Sequence, residues 1–323
     1  MEEKKFMKFK NLFSIRTRHY ARKGVRSGFV KFRILIVFGV RFYIYEGYKI
    51  VFAWSEVFKK YFAANNMKLK IMNLKQGMDS ISCEYIDFFM KMSKVWGKYR
   101  FGNFWSEYDE KLLKKYKNLS FKQPFPEITK FNSTTFLHEY GLADLPKEVL
   151  DYINGKDIID AGGLNGDTAL IFNELFPESK IYVYEPLSAY CNIVKKIADK
   201  VNLIKGEKII SVNKGLSDKP EICNISFDKI SDDCEITTID MDYKGGNLGL
   251  IKSDTEGFES KIIEGAKDSI KKYKPVLVFA IYHTPEDFFD LKDKIAKLNP
   301  NYKFMIRRSE FIIPTADFVL IAY

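Results

Sequence analysis

The sequence predicts an α/β protein in which a seven-stranded, doubly wound, mostly parallel sheet follows a mainly helical, basic N-terminal region. Two observations support this prediction. From Lys156 onward, short apolar runs alternate with helical stretches, which is typical of a parallel sheet covered by helices. Before that point, apolar residues recur at helical spacing and basic residues are frequent. The 323 residues suffice for two domains, and we place residues 1–150 in the first and residues 151–323 in the second.

Seven apolar runs of strand length make up the predicted sheet, and we expect the last two to pair at its edge. They are Asp157–Ala161, Lys180–Pro186, Lys208–Asn213, Leu248–Asp254, Pro275–His283, Tyr302–Arg308 and Ala316–Tyr323. Thr284 is a predicted helix N-cap with Pro285 at the first helical position, and Gly206 is a predicted C-cap. In the N-terminal region, Asp79 or Ser80 is predicted to cap a helix.

Charge is distributed unevenly along the chain. Residues 1–150 contain 29 Lys and Arg against 14 Asp and Glu, whereas residues 151–323 contain 23 against 28. The acidic second half argues against nucleic acid lying along it, so nucleic acid is not an expected partner. The four cysteines form no CxxC pair and accompany no histidine cluster, so a zinc site is not expected. Scattered cysteines fit a reduced, cytoplasmic protein.

The most apolar part of the chain, residues 29–54, mixes aromatic residues with interrupting charges. A membrane-spanning helix needs about 20 mostly apolar residues with few charges, so this segment is not predicted to span. We favour a basic, aromatic-rich helical region that packs on its neighbour. The alternative is a peripheral contact between residues 1–60 and the inner face of a membrane. No secretory signal is visible, so the expected location is the cytoplasm.

The ends of the predicted strands hold the candidate ligand-binding residues, because doubly wound sheets bind ligands outside the carboxyl ends of their strands. Asp160 ends the first strand, and Gly162, Gly163 and Gly166 follow it. Gly162 would allow the tight turn, and Gly166 would let the next helix approach the sheet. The spacing lacks the full G-x-G-x-x-G fingerprint, and a carboxylate before the glycines would repel a pyrophosphate. A cationic donor without phosphate, S-adenosylmethionine, fits better, and a turn without any ligand is the simpler alternative.

Glu185 ends the second predicted strand, 25 residues after Asp160, and Pro186 follows it. An acid at this position can accept hydrogen bonds from both hydroxyl groups of a ribose. NAD and S-adenosylmethionine both contain that ribose, so Glu185 indicates a nucleoside ligand without choosing between them. The simpler alternative is an exposed acid at the end of a strand.

The fourth predicted strand ends in the D-T-E-G turn, residues 254–257, and the fifth ends at His283. Asp254 and Glu256 could orient an acceptor hydroxyl or the donor's ammonium group, or hold a divalent metal through oxygen, although no metal is predicted. Glu256 and Glu259 also suit the positive N-terminus of the next helix, and Glu259 is the more structural of the two. Imidazole is a natural base for a hydroxyl, so His283 and Asp254 are the candidate catalytic residues, with a structural histidine as the alternative.

Several motifs occur in one order over residues 156–323: DIIDAGGLNGDTALIF, YVYEP, GLSD, TTID, IKSDTEGFESKIIEGA and PVLVFAIYH. Together they resemble the FkbM-type methyltransferases, a branch of the class I, Rossmann-like, S-adenosylmethionine-dependent fold. The specific part of the resemblance is the D-x-E-G block followed by an apolar strand that ends in Tyr-His. The resemblance implies O-methylation, often of a sugar hydroxyl in a glycan or natural product, with S-adenosylmethionine as the methyl donor.

The same resemblance implies roles for individual residues. The loop that begins at Asp160, with its three glycines, would hold the donor's methionine end. Glu185, followed by Pro186, would hold the ribose, and Asp254 would lie beside the transferring methyl group. The family often has Ala then Asn after the first glycine, whereas here Asn165 comes one place later, so no role is assigned to it. The basic N-terminal region would cover the acceptor site or recognise an anionic glycan or lipid-linked acceptor.

Three other functions stay open at this point. The basic first half is compatible with an RNA methyltransferase, but the fourth strand does not end in the Asn/Asp-Pro-Pro-aromatic turn that such enzymes use on exocyclic amines. An NAD-dependent oxidoreductase is disfavoured by the glycine spacing. A membrane-surface or partner-binding protein on a methyltransferase scaffold is disfavoured by the intact acids and glycines.

Overall fold

The computed structural model describes residues 13–21, 28–37, 40–50, 53–93, 106–116, 122–131, 133–227, 230–308 and 316–323, with side chains from residue 57 onward except for residues 133 and 134. Three antiparallel strands come first, paired in the order β1-β2-β3. They are β1 (Phe13–Ala21), β2 (Gly28–Val37) and β3 (Val40–Ile50). The sequence did not predict these strands, although β-branched and aromatic residues, which favour strands, are frequent in residues 28–50.

Helices make up most of the remaining N-terminal region, as predicted. They are α1 (Ala53–Ala64), α2 (Met67–Lys75), α3 (Ser80–Ser93), α4 (Glu107–Tyr116), α5 (Ser133–Leu137) and α6 (Lys147–Ile153), with a 3-10 helix at Glu139–Asp144. Of the two predicted caps of α3, Asp79 is confirmed, because its carboxylate accepts a hydrogen bond from the backbone N–H of Ser82 at 2.7 Å.

The second half of the chain contains the predicted seven-stranded sheet and a smaller one. The strands are β4 (Asp157–Ala161), β5 (Ile181–Tyr184), β6 (Ile209–Val212), β7 (Gly215–Leu216), β8 (Glu221–Phe227), β9 (Ile230–Thr237), β10 (Leu248–Ser253), β11 (Val276–Ala280), β12 (Phe304–Arg308) and β13 (Phe318–Ala322). The large sheet has the order β12-β13-β11-β10-β4-β5-β6, and β13 runs antiparallel to both of its neighbours. The last two strands pair as predicted. Of these two, β12 is an edge strand and β13 lies between β12 and β11.

The strand order indicates where along the carboxyl ends of the strands a ligand would bind. From β4 the chain proceeds outward through β5 and β6, and it then returns to β10 on the other side of β4. The parallel pair β4 and β10 therefore marks the point at which the order reverses. In doubly wound sheets, ligands bind in the crevice at the carboxyl ends of such a pair.

Helices cover both faces of this sheet. They are α7 (Asp167–Leu175), α8 (Ser188–Lys205), α9 (Ile239–Asp242), α10 (Glu259–Gly265), α11 (Lys267–Tyr273) and α12 (Pro285–Leu298). The predicted caps are confirmed: the Thr284 hydroxyl accepts from the backbone N–H of Asp287 at 3.1 Å, and Gly206 ends α8 with a φ of 76°. The single helix predicted between the fourth and fifth strands is divided at Ala266 into α10 and α11.

The N-terminal helices share a hydrophobic core with one face of the sheet. Phe89 of α3 stacks on Phe288 of α12 with 3.8 Å between ring centroids, and Tyr61 of α1 stacks on Phe289 at 5.6 Å. The opposite face is covered by α7 and α8, whose buried side chains join those of β4 and β5. The boundary near residue 150 stays a prediction, since apolar packing runs continuously from α1 to the sheet.

The smaller sheet, in the order β7-β9-β8, was not predicted. Polar and apolar residues alternate along β8, and alternate residues are exposed, so its sequence lacks the continuous apolar run that marked the other strands. Cys234 and Ile236 of β9 pack against Leu187, which follows the end of β5. The small sheet therefore supports the segment that follows the carboxyl end of β5.

Buried ion pairs join the N-terminal helices to the edge strand β12. Arg308 Nη1 lies 2.7 Å from Asp109 Oδ2, and both side chains are fully buried. The Tyr85 hydroxyl donates to the other oxygen of Asp109 at 2.7 Å. The neighbouring Arg307 pairs with both Asp79 and Asp144. Charges on opposite sides of this junction are thus compensated only when the N-terminal helices are docked.

Among the residues with described structure, the helices all fall short of the length and apolarity that a membrane crossing requires. The peripheral membrane contact predicted for residues 1–60 depends almost entirely on side chains that lie outside the described residues.

The first prediction concerns the Arg308–Asp109 pair. Replacing Arg308 with Met leaves the Asp109 carboxylate buried without its cation, so we expect the free energy of unfolding to fall by about 3–5 kcal/mol in urea denaturation. The double change Asp109→Leu/Arg308→Met should recover part of this loss. Lys147→Met, which breaks the exposed Lys147–Asp151 pair, is the control and should change stability by less than about 1 kcal/mol. Equal effects at the buried and exposed pairs would contradict the prediction.

Candidate active site

A buried ion pair lies where β4 and β10 run side by side. Asp160 and Lys252 are partners in the register of the two strands, and Lys252 Nζ lies 2.8 Å from Asp160 Oδ1. The second oxygen of Asp160 accepts from the Thr168 hydroxyl at 2.6 Å. Lys252 also donates to the carbonyl of Gly162 at 2.9 Å, which ties the pair to the glycine loop. Burial lowers the pKa of Lys252, but Asp160 and Asp254 outweigh that effect and raise it, so the lysine is charged.

The glycine loop lies against the end of β10. Gly162 has a φ of +78°, and a Cβ added there would lie 2.0 Å from the backbone oxygen of Asp254. A Cβ on Gly163 would lie 2.2 Å from the side chain of Val183. Gly166, with a φ of 78°, is the N-cap residue that precedes α7. Left-handed backbone and close approach both require glycine at Gly162, so this turn is specified by local geometry.

Glu185 connects the end of β5 to the same loop. Its carboxylate is buried, with one oxygen accepting from the backbone N–H of Leu164 at 2.8 Å and the other from Leu187 at 2.9 Å. Burial raises the pKa of Glu185, and the hydrogen bonds from Leu187 and Leu164 oppose the rise. The side chain of Asn213 donates to the carbonyls of Glu185 and Pro186 at 3.0 and 2.9 Å, which fixes this strand end.

Asp254, at the end of β10, is surrounded by hydrogen-bond donors. Its Oδ2 accepts from the Tyr140 hydroxyl at 2.9 Å, and its Oδ1 lies 3.4 Å from the Tyr282 hydroxyl. Its side chain is 27% exposed, so the carboxylate is held by the protein and remains reachable from solvent. Its backbone N–H donates to Ala161 at 3.0 Å, which places it next to the glycine loop.

His283 lies between two carboxylates. Its Nε2 is 3.4 Å from Asp254 Oδ1, and its Nδ1 is 3.4 Å from Glu259 Oε1. Burial lowers the pKa of His283, but Glu259, Asp254 and Glu256 raise it to about 10. The imidazole therefore carries its proton at neutral pH. This charge state favours Asp254 over His283 as the group that accepts a proton from a substrate.

Glu259 holds the D-T-E-G turn together. It is fully buried, its Oε1 accepts from the Thr255 backbone at 2.7 Å, and its Oε2 accepts from Gly257 at 3.0 Å. This is the structural role at the start of the helix that the sequence indicated.

The structure brings every predicted site residue to the carboxyl ends of the strands. The interactions described above connect these residues to one another. They are Asp160, Gly162, Gly163, Gly166, Glu185, Pro186, Asp254 and His283. The sequence did not indicate that Tyr140 belongs to the site. Tyr140 lies in the 3-10 helix, far from the motifs, and has a φ of 53°. The sequence also did not indicate that Lys252 neutralises Asp160. Because of this ion pair, Asp160 repels a pyrophosphate less than an unpaired carboxylate would.

The strand order and flanking helices are those of the class I, Rossmann-like methyltransferase fold. More narrowly, residues 160–307 match the family described as the methyltransferase FkbM domain, as the motifs predicted. No curated protein sequence matches the chain.

Solved structures share the fold. An FkbM methyltransferase from Methylobacillus flagellatus KT superposes with a TM-score of 0.57 at 16% identity, over 79% of this chain and 58% of that chain. This chain thus spans less than two thirds of the length of that protein. More distant similarities include a methyltransferase from Geobacter sulfurreducens (TM-score 0.41, 9% identity, 67% of this chain and 96% of that chain) and Aeropyrum pernix fibrillarin, solved with S-adenosyl-L-methionine (TM-score 0.37, 11% identity, 59% and 76%).

The second prediction concerns Gly162. In Gly162→Ala, the new methyl group would clash with the backbone of Asp254, so the loop or β10 must move. We expect the affinity for S-adenosylmethionine, measured by calorimetric titration, to fall by about tenfold or more.

Gly77→Ala is the matched control. Gly77 also has a positive φ, 74°, but a Cβ there meets nothing within 4 Å. Both variants should lose some stability through backbone strain, and only Gly162→Ala should lose donor affinity. Unchanged affinity in Gly162→Ala, or an equal loss in both, would show that the loop does not hold the donor.

Proposed function

We propose that this methyltransferase is an O-methyltransferase that acts on a sugar hydroxyl of a glycan or natural product. The observation that carries the proposal is the partly exposed Asp254 carboxylate, held between hydroxyl groups directly beside the glycine loop. A fixed carboxylate at that position can orient an acceptor hydroxyl and receive its proton.

The donor-side residues fit S-adenosylmethionine. The absence of side chains at Gly162 and Gly163 keeps the loop close to β10 and β5. The Glu185 carboxylate has oxygen lone pairs beyond those used by Leu164 and Leu187, and these would accept from the ribose hydroxyls, with Pro186 beside them. Asp160 would act indirectly, because its oxygens already contact Thr168 and Lys252.

When bound, S-adenosylmethionine supplies an electrophilic methyl group, which the acceptor oxygen takes in line while the carbon–sulfur bonding pair stays with sulfur. Asp254 would receive the hydroxyl proton. Tyr140 and Tyr282 would fix the orientation of that carboxylate. His283, protonated at neutral pH, would balance the negative charge around Asp254.

The acceptor is proposed to be an anionic or lipid-linked glycan. Support comes from the basic first half of the chain, with 29 Lys and Arg against 14 Asp and Glu in residues 1–150. Tyr140, which contacts Asp254, belongs to that region, so the region reaches the acceptor side of the site. We propose a cytoplasmic enzyme that acts at the inner face of the membrane, and the four free cysteines fit a reducing compartment.

The third prediction tests the donor site. In Glu185→Gln, the amide replaces one acceptor oxygen with a donor and removes the charge, so S-adenosylmethionine should bind about tenfold more weakly or worse. Glu178→Gln, which alters an exposed acid, should bind as the wild type does. NAD should not bind the wild type. Donor affinity that is insensitive to Glu185→Gln would reject the ribose assignment.

The fourth prediction tests the acceptor side. S-adenosylhomocysteine formation should be measured with a panel of oligosaccharides, lipid-linked glycans and RNA. With the best glycan, Asp254→Asn should lower kcat by about 100-fold or more, a larger loss than in donor affinity, because it removes the proton acceptor. Methylation of RNA without methylation of any glycan would overturn the proposed acceptor class.

A further inference from the structure

We propose that Asp254, Glu256 and His283 bind a divalent transition-metal cation at the acceptor side of the site, with Glu259 orienting the histidine. The role of the metal in the reaction rests on the proposed function. The ligands themselves are defined by the geometry of the D-T-E-G turn and of the segment after β11.

The histidine provides the first observation. Its side chain is 7% exposed, and neither ring nitrogen makes a hydrogen bond to any residue that the structure describes. Nitrogens that lack hydrogen bonds can accept another partner. A cation at Nε2 would displace the proton that the ring carries in the metal-free protein. One ligand atom each from His283, Asp254 and Glu259 lie within 4.8 Å of one another, so the ring points into a group of possible ligands.

Distances select the ligands on the Nε2 side of the ring. Nε2 lies 3.4 Å from Asp254 Oδ1 and 4.0 Å from Glu256 Oε2. Two ligand atoms that share one ion at about 2.1 Å each are separated by roughly 3–3.5 Å at ordinary coordination angles. The Asp254 oxygen already meets this separation, and the 68% exposed Glu256 side chain can complete the set by a small rotation.

Backbone conformation supports the same arrangement. Glu256 has a φ of 58°, a left-handed conformation that is uncommon for a residue other than glycine. This turn carries the Glu256 carboxylate back toward His283. Strained backbone of this kind is found where a functional group must be aimed.

Glu259 has a different role, although its oxygen is equally close to the ring. Its Oε1 and Oε2 already accept hydrogen bonds from the Thr255 and Gly257 backbone, and it is fully buried. It faces Nδ1 at 3.4 Å, the nitrogen that does not face Asp254. Histidine ligands usually present their second nitrogen to such a carboxylate, which fixes the ring and its tautomer.

The ligand set indicates the class of ion. Two carboxylates and one imidazole suit Mn²⁺, Fe²⁺ or Zn²⁺ better than Ca²⁺ or Mg²⁺, which prefer oxygen alone. Three protein ligands leave coordination positions open toward the acceptor. An acceptor hydroxyl bound there would have a lowered pKa and would lose its proton more easily.

The experiment titrates chelator-treated, full-length protein with Mn²⁺, followed by electron paramagnetic resonance of the free ion, with Zn²⁺ and Mg²⁺ compared by calorimetry. We expect one saturable Mn²⁺ site and weaker binding of Mg²⁺. His283→Gln and Glu256→Gln should each weaken Mn²⁺ binding by about tenfold or more, and Glu259→Gln by about 10–100-fold. Because Glu256 is exposed, its variant should fold normally.

Glu264→Gln is the control, since Glu264 is exposed on the helix that contains Glu259 and pairs with Lys267. It should bind Mn²⁺ as the wild type does. S-adenosylmethionine affinity is measured on every variant, and saturable donor binding shows that the variant is folded. Absence of saturable Mn²⁺ binding, or binding that is indifferent to His283→Gln and Glu256→Gln, would overturn the metal site while donor binding still stood. Metal binding without donor binding would instead reject the proposed function.

Discussion

The Asp160–Lys252 ion pair is the interaction on which the rest of the site depends. It joins the two strands between which the strand order reverses, and it lies wholly inside the protein. A buried charge of either sign alone would be strongly unfavourable, so each residue requires the other. Because Lys252 also donates to the carbonyl of Gly162, the pair fixes the glycine loop against the end of β10. The proposed donor and acceptor sides of the site are therefore joined by one contact.

The sequence predicted what depends on apolar runs and strand ends. The seven strands of the large sheet were found because they form short apolar runs, such as Val276–Ala280, which is buried on both faces of the sheet. Strand β8 was missed because its residues alternate between half-buried and exposed. Strands β1–β3 were missed in a region whose apolar residues were assigned to helices. Acids at strand ends could be identified because the sheet's topology brings those ends together. Tyr140 could not be identified, because a left-handed segment outside the motifs places it there.

The N-terminal helices contact the proposed active site through their interactions with the sheet. Arg307 and Arg308 of the edge strand pair with acids from three separate segments of the first half, Asp79, Asp109 and Asp144. The 3-10 helix that contains Asp144 also contains Tyr140, whose hydroxyl reaches Asp254. Docking of the N-terminal helices and positioning of the Asp254 carboxylate are thus coupled by one short segment. This coupling connects the region to the proposed acceptor side of the site by contacts as well as by net charge.

Charge is divided unequally between the two sides of the site. On the donor side, Lys252 compensates Asp160, and backbone N–H groups stabilise Glu185. On the acceptor side, the carboxylates of Asp254, Glu256 and Glu259 surround a single imidazole. The sulfonium of the donor would thus be attracted mainly toward the acceptor side, where its methyl group must be delivered. The proposed divalent cation would be held by the same negatively charged groups, which can ligate it through oxygen and nitrogen. Near the glycine loop, the positive charge of Lys252 opposes this attraction for cations.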